Sequence, residues 1–395
     1  MVHLASALLV AGAAFVVAAP ATEIFERQTC TTAASYSTVS VAKLPDPFTS
    51  ASGTKITTKA AFDCRAAEIS KILQQYELGA YPPPPDKVEA SLSGSGISVK
   101  VTVGSKSITI SASIKKGSSP APGPAIITIG GSSIPIPGTV GTIGFSNDNF
   151  AAQQGGSSRG KGLFYDLFGS SHTAGALTAW AWGVDRVIDG LEQLGADKTG
   201  IDTKRLGVTG CSRNGKGAYI VGALVKRIAL AIPQESGSGG AACWRISDQQ
   251  KSSGKNIQTA NQIIGENVWF SKNFDPYTKS TTTIPADHHM LAALTVPRGV
   301  AVFENDIDWL GPVSTTGCMK AARLIYKAYG VPNYMGFSLT GGHSHCQFPS
   351  GQQSELTQYI DYFLLNKGTP PGAVERSSAT VETTSWAPWD VPTLT

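Results

Sequence analysis

The run Leu206-Gly-Val-Thr-Gly-Cys-Ser-Arg-Asn-Gly-Lys216 carries an apolar strand into a helix with a serine at the turn. The spacing predicts a strand over Lys204–Thr209 and a helix over Asn214–Lys226, so Ser212 lies at a tight strand-to-helix corner. Such a corner needs small neighbours, here Gly210 and Gly215, and it lifts the serine hydroxyl above the strand ends at the positive end of a helix. The pattern departs from G-x-S-x-G, because Asn214 stands where the second glycine belongs and Gly215 follows one residue later. Asparagine tolerates the left-handed region, so Ser212 remains a candidate nucleophile.

Outward from this corner, strands and helices alternate. Upstream, Ala125–Ile129 is a short apolar strand ending in Gly130-Gly131, and Leu177, Ala181, Val184, Val187, Ile188, Leu191 and Leu194 follow helical spacing. Downstream come apolar strands at Ile228–Pro233, Gly299–Phe303 and Tyr334–Leu339, with a helix at Thr316–Tyr329. Nearer the N-terminus a helix is expected over Asp63–Tyr76, before the prolines at 82–85, and a β-hairpin over Ile97–Val103 and Ser107–Ile114. Alternation of this kind implies an α/β fold: a mostly parallel central sheet covered by helices on both faces, a three-layer sandwich.

The 395 residues hold 32 Lys and Arg against 28 Asp and Glu, a net charge of only +4, which excludes a nucleic-acid footprint. With 41% hydrophobic residues, 43 Gly and 23 Pro, the chain suits a loop-rich globule and neither a disordered chain nor a coiled coil. Leu8–Ala19 is too short to span a bilayer and ends in small residues before Pro20, as a cleaved secretory signal does. The expected layout is a signal at 1–19, an irregular lead-in at 20–60, one catalytic domain at 61–372 and a tail at 373–395 carrying Trp386 and Trp389. Six cysteines agree with an extracellular location, and no Asn-x-Ser/Thr sequon is present. No membrane association is expected, and the chain should act as a monomer.

A serine nucleophile needs a base. Gly341-Gly-His-Ser-His-Cys346 follows the last core strand, and Cys346 next to His345 mirrors Cys211 next to Ser212. A Cys211–Cys346 disulfide would bring nucleophile and base together, favouring His345 over His343, which would orient its neighbours. For the acid, two places qualify: Glu235 after the strand that follows the nucleophile helix, or Asp306 and Asp308 after Gly299–Phe303. Position alone leaves both open. The N–H of Arg213 is the first oxyanion donor, its guanidinium could supply a second, and Gly130-Gly131 could position another N–H. Asp287-His288-His289 looks like a ligand cluster, but adjacent histidines diverge and no H-E-x-x-H or paired C-x-x-C accompanies them. Asp287 reads as a helix cap with hydrogen-bonded histidines behind it, and neither metal nor cofactor is expected.

Five segments together resemble the glucuronoyl esterases, the 4-O-methyl-glucuronoyl methylesterases secreted by lignocellulose-degrading fungi. They are Gly210-Cys-Ser-Arg-Asn-Gly-Lys216, Pro233-Gln-Glu-Ser-Gly-Ser-Gly-Gly240, Gly265-Glu-Asn-Val-Trp-Phe270, Asp306-Ile-Asp-Trp309 and Gly342-His-Ser-His-Cys346. The resemblance spans about residues 30–370 and implies an α/β-hydrolase fold. It implies Ser212 as nucleophile, His345 as base, Glu235 as acid in preference to Asp306 or Asp308, and Arg213 in the oxyanion hole. It also implies Lys216, Gln258, Glu266 and Trp309 around a glucuronate, and disulfides Cys30–Cys64, Cys211–Cys346 and Cys243–Cys318. The implied substrate is the ester between a glucuronic-acid side group of xylan and a lignin alcohol. The rivals are an acetyl-xylan esterase with the same triad and a non-catalytic wall-polysaccharide binding protein.

Overall fold

The computed structural model describes residues 30–395; the signal expected at 1–19 lies outside the described residues. Among the described residues the strands form one ten-stranded sheet, in the order β1-β2-β3-β5-β4-β6-β7-β8-β9-β10. These are β1 (Lys87–Ser93), β2 (Gly96–Val103), β3 (Lys106–Lys115), β4 (Gly123–Ile129), β5 (Gly141–Phe145), β6 (Ile201–Cys211), β7 (Ile228–Gln234), β8 (Gly299–Glu304), β9 (Met335–Leu339) and β10 (Glu375–Arg376). The first three strands and β5 pair antiparallel, and from β5 through β4 to β10 every pairing is parallel. The expected hairpin is therefore β2–β3, and the expected parallel core is β4 and β6–β9.

Every residue of β4, β7 and β8 is buried, as strands covered on both faces must be. Alternate side chains serve opposite layers. Ile126, Ile232, Ala301 and Phe303 pack with Leu356, Tyr359 and Ile360, whereas Ile127, Val208, Ala231 and Val302 join the larger cluster that holds Trp180, Trp182 and Tyr219. The principal helices are α1 (Lys59–Leu73), α2 (Ala176–Leu194), α3 (Arg213–Leu224), α4 (Pro312–Tyr329) and α5 (Gln353–Phe363). Thus α5 covers one face and α2, α3 and α4 the other, giving three layers around two apolar seams.

The structure adds detail at the edges. The helix expected over Asp63–Tyr76 begins at Lys59, capped by the Thr58 hydroxyl, and continues as a π-helical turn to Leu78. The helix expected from Thr316 starts at Pro312, where proline suits the first turn because its missing N–H would find no helical acceptor. The C-terminal tail is packed: Trp389 meets Phe48 edge-on with ring centres 5.5 Å apart, and Leu394 donates its N–H to Ala328 at 2.9 Å. All six cysteines are paired, as Cys30–Cys64, Cys211–Cys346 and Cys243–Cys318. No helix among the described residues is long and apolar enough to cross a membrane.

Candidate active site

Strand register builds the site. Cys211 of β6 lies opposite Gln234 of β7, and Gln234 lies opposite Phe303 of β8, so the residues that follow emerge together at the carboxyl edge of the sheet. These are Ser212, Glu235 and Glu304. The loop after β9 crosses the same edge and carries His343 and His345.

Ser212 has φ 59° and ψ −125°, a strained conformation for a residue with a side chain. Its N–H donates to the Gln234 carbonyl at 2.9 Å, which ties the turn to the adjacent strand. A Cβ at Gly210 would lie 2.5 Å from the Asn214 carbonyl oxygen, and one at Gly215 would strike the Gln234 carbonyl. Both glycines are therefore sterically required. Asn214, the residue that breaks G-x-S-x-G, places its amide where a Cβ on Gly130 would be. Its Oδ1 accepts from Asn147 Nδ2 at 3.2 Å and Gln153 Nε2 at 3.1 Å. The missing space in the elbow is supplied by a glycine from the β4 loop.

Glu235 is 1% exposed and its Oε2 accepts from His345 Nδ1 at 2.7 Å and from the Cys346 N–H at 2.9 Å. With Nδ1 donating, Nε2 of His345 keeps its lone pair, as a base requires. The Cys211–Cys346 disulfide, with Cα atoms 5.8 Å apart, joins the residue before Ser212 to the residue after His345. His343 lies behind Glu235: its Nε2 donates to the Thr340 carbonyl at 3.0 Å, and Asn305 Nδ2 is 3.2 Å from its Nδ1. Asp306 and Asp308 are exposed, and the hydrogen bonds of His345 run to Glu235 instead.

Arg213 opens α3, so its N–H has no helical acceptor and sits at the positive end of the helix. Its exposed guanidinium leans over the Trp269 ring, 5.8 Å from the centroid, and the Lys216 ammonium lies 5.7 Å from the same ring. Trp269 in turn donates Nε1–H to Gln153 Oε1 at 2.8 Å, the same Gln153 that holds Asn214. Lys216 is 4% exposed and donates to the Ser236 carbonyl at 2.5 Å. Burial holds its ammonium down to about 8, against the opposing charges of Glu304 and Glu266. Gln258 Nε2 donates to Glu266 Oε2 at 3.0 Å, and the Gln258 N–H donates to the Trp309 carbonyl at 3.2 Å. Trp309 meets the His345 ring edge-on, with centres 4.9 Å apart.

The structure thus brings Ser212, Arg213, Lys216, Glu235, Gln258, Glu266, Trp309 and His345 to one region. Trp269, Gln153, Asn305 and Glu304 join it, none of them singled out from sequence, although Trp269 stands in Gly265-Glu-Asn-Val-Trp-Phe270. Asp287 caps the turn His288–Met290 and pairs with Arg245 at 3.2 Å. His288 meets Glu77 and Gly240, His289 meets Pro45, and no metal-competent cluster occurs among the described residues.

The family described as fungal glucuronyl esterase matches residues 99–330. A 4-O-methyl-glucuronoyl methylesterase of Neurospora crassa is 73% identical over the full length of both chains. One of Thermothelomyces thermophilus is 72% identical, also over the full length of both. A glucuronoyl esterase of Sporotrichum thermophile, crystallised as a serine-to-alanine mutant with methyl 4-O-methyl-beta-D-glucopyranuronate, superposes with a TM-score of 0.92. It is 70% identical, covering 93% of this chain and 100% of that one. The catalytic domain of the Hypocrea jecorina enzyme superposes at 0.90 with 52% identity, over 92% of this chain and 100% of that domain. The chain belongs to the fungal glucuronoyl esterase family.

Proposed function

We propose that this protein is a serine esterase that hydrolyses the ester between 4-O-methyl-glucuronate of xylan and a lignin alcohol, acting outside the cell as a monomer. The observation that carries the reading is the Glu235–His345 hydrogen bond beside Ser212, fixed by the Cys211–Cys346 disulfide. The ligand carried by the Sporotrichum relative, a methyl ester of a 4-O-methyl sugar acid, supports the substrate class. Three disulfides support an oxidising compartment. The sheet and its covering helices support one catalytic unit over about residues 61–372.

In the proposed reaction Ser212 Oγ attacks the ester carbonyl carbon as His345 Nε2 takes its proton. The Arg213 N–H and guanidinium meet the oxyanion that develops on the carbonyl oxygen. The intermediate collapses with cleavage of the bond to the alcohol oxygen, which leaves with the proton held by His345. A water then loses a proton to His345 and attacks the glucuronoyl-serine ester, and the proton returns to Ser212 as the uronic acid leaves. Glu235 holds the imidazole and stabilises its cation throughout. Lys216, Gln258 and Glu266 suit the hydroxyls of a uronate, and Trp309 its less polar side.

The test is Ser212→Ala assayed on methyl 4-O-methyl-glucuronate, aryl-alkyl glucuronates and acetylated xylan. Folded protein with near-background activity on the glucuronates is expected. Retained turnover removes Ser212 from the mechanism, and a parent enzyme faster on acetylated xylan favours the acetyl-xylan reading.

A further inference from the structure

Glu304, the last residue of β8, is 1% exposed and has no part in the reaction just outlined. A carboxylate taken from water to that depth is costly unless it is hydrogen-bonded and charge-compensated. Its partners are specific. Oε1 accepts from the Ser236 N–H at 2.7 Å, the Ser236 hydroxyl at 2.7 Å and the Gly237 N–H at 3.3 Å. The Ser236 hydroxyl also accepts the Ala241 N–H at 2.9 Å, so one carboxylate organises the whole turn after Glu235.

The peptide between Ser236 and Gly237 has an ion at each end. Its N–H points to Glu304 and its C=O receives the Lys216 ammonium at 2.5 Å. The peptide dipole is aligned to favour both charges, and in a dry interior this links them through a single rigid unit. We infer that Glu304 is a positioning residue of the esterase site, the buried counter-charge that keeps Lys216 cationic and clamps the turn carrying Glu235. The inference rests on the proposal that Lys216 meets the glucuronate.

The charges facing the pair are few. Lys216 sees Glu304, Glu266 and, unfavourably, Arg213; Glu304 sees Glu235. Burial pushes Glu304 up to about 7, against its hydrogen bonds from Ser236, so the carboxylate is ionised in the alkaline range where Lys216 titrates. Lys216 is held down to about 8, and Glu304 provides the largest opposing influence. Removing the carboxylate charge leaves burial less opposed, and Lys216 then loses its proton at lower pH.

The experiment measures kcat and KM for methyl 4-O-methyl-glucuronate from pH 5.5 to 9.5 in the parent, E304Q, E304D, K216Q and E304Q/K216Q. In E304Q the alkaline rise in KM should begin about one pH unit earlier, a difference of about fivefold in KM near pH 8 that approaches tenfold at higher pH. In K216Q the same Glu304 change should alter KM less than about twofold, because the cation it serves is gone. An unmoved alkaline limb in E304Q, or a full effect of E304Q on the K216Q background, overturns the inference. An unchanged KM in K216Q instead overturns the assignment of Lys216 to the sugar. If E304Q does not fold, E304D keeps the charge at shorter reach: kcat should fall while the limb stays in place, and a limb displaced by a full unit there overturns the inference.

Discussion

Glu235 Oε2 accepts the Nδ1–H of His345 at 2.7 Å and the N–H of Cys346 at 2.9 Å, so one oxygen orients both the imidazole and the main chain beside it. Glu235 itself has φ 44°, a left-handed conformation held by its own N–H on the Phe303 carbonyl at 2.7 Å. Glu235 thus stands after β7, while the exposed Asp306 and Asp308 follow β8. Glu235→Gln should lower kcat by about 10³- to 10⁴-fold with folding intact, the effect expected when the imidazole loses its orienting anion. Asp306→Asn should stay within about threefold. Rate constants for the two purified variants decide it, and a larger loss in Asp306→Asn would remove Glu235 from the role.

The disulfides should separate by function. Cys211–Cys346 joins the neighbours of Ser212 and His345 across 135 residues, whereas Cys30–Cys64 fastens the lead-in to α1 across 34. Loss of either should destabilise by about 2–5 kcal/mol. Below both melting temperatures, C211A/C346A should lose more than tenfold in kcat, and C30A/C64A should remain within about twofold. Equal kcat values would show that the Ser212–His345 geometry does not depend on the link.

Gly130 and Asn214 share one space, and a Cβ on the first would overlap the side-chain amide of the second. Gly130 also has φ 64°, which alanine adopts only with strain. Gly130→Ala should therefore cost about 1–3 kcal/mol and displace the elbow, lowering kcat. Asn214→Gly on that background, which restores G-x-S-x-G, should recover part of both losses. Denaturation midpoints and kcat for the two single variants and the double complete a cycle, and strictly additive effects would deny the shared space.

How far these relationships could be read before the structure depended on how local they are. The serine corner, the central apolar strands and the adjacency of Cys211 to Ser212 and of Cys346 to His345 are local patterns, and all reappear. Strands β1 and β5 escaped because pairing, and not composition, makes them strands. Lys87–Ser93 has a largely exposed face, and Gly141–Phe145 carries two glycines, yet each gains a ladder from a neighbour. Lys216 alone would pass for a solvated helix position; its burial arises from Ser236 and Trp269, far along the chain. Glu304 is hidden for the same reason, as the end of an apolar run whose partners lie 67 and 68 residues away. Between Glu235 and Asp306, position alone left both open and the resemblance preferred Glu235; the hydrogen bond of His345 runs to Glu235, a contact 110 residues apart that no local spacing contains.

The pair His288 and His289 gives the protein opposing responses to acid. His289 is fully buried, with Nε2 donating to the Pro45 carbonyl at 2.8 Å and its ring stacked on Trp389. Burial lowers it to about 4, so the folded state keeps it neutral between about 4 and the ordinary 6.5, where the unfolded chain takes up a proton. Stability is therefore lost as pH falls through that window, by up to about 3 kcal/mol, and recovered as pH rises. His288 has the opposite sign: despite burial, the Glu77 carboxylate raises it, and the stability it contributes is present at acid pH and lost as pH rises through its folded value. His289→Gln can still donate to Pro45 but does not titrate, and it leaves His288 in place. The difference in unfolding free energy between parent and variant should narrow by about 2–3 kcal/mol from pH 7 to pH 4.5, with the parent the more acid-sensitive. Urea denaturation at the two pH values measures it, and parallel pH profiles would show that His289 is protonated in the fold.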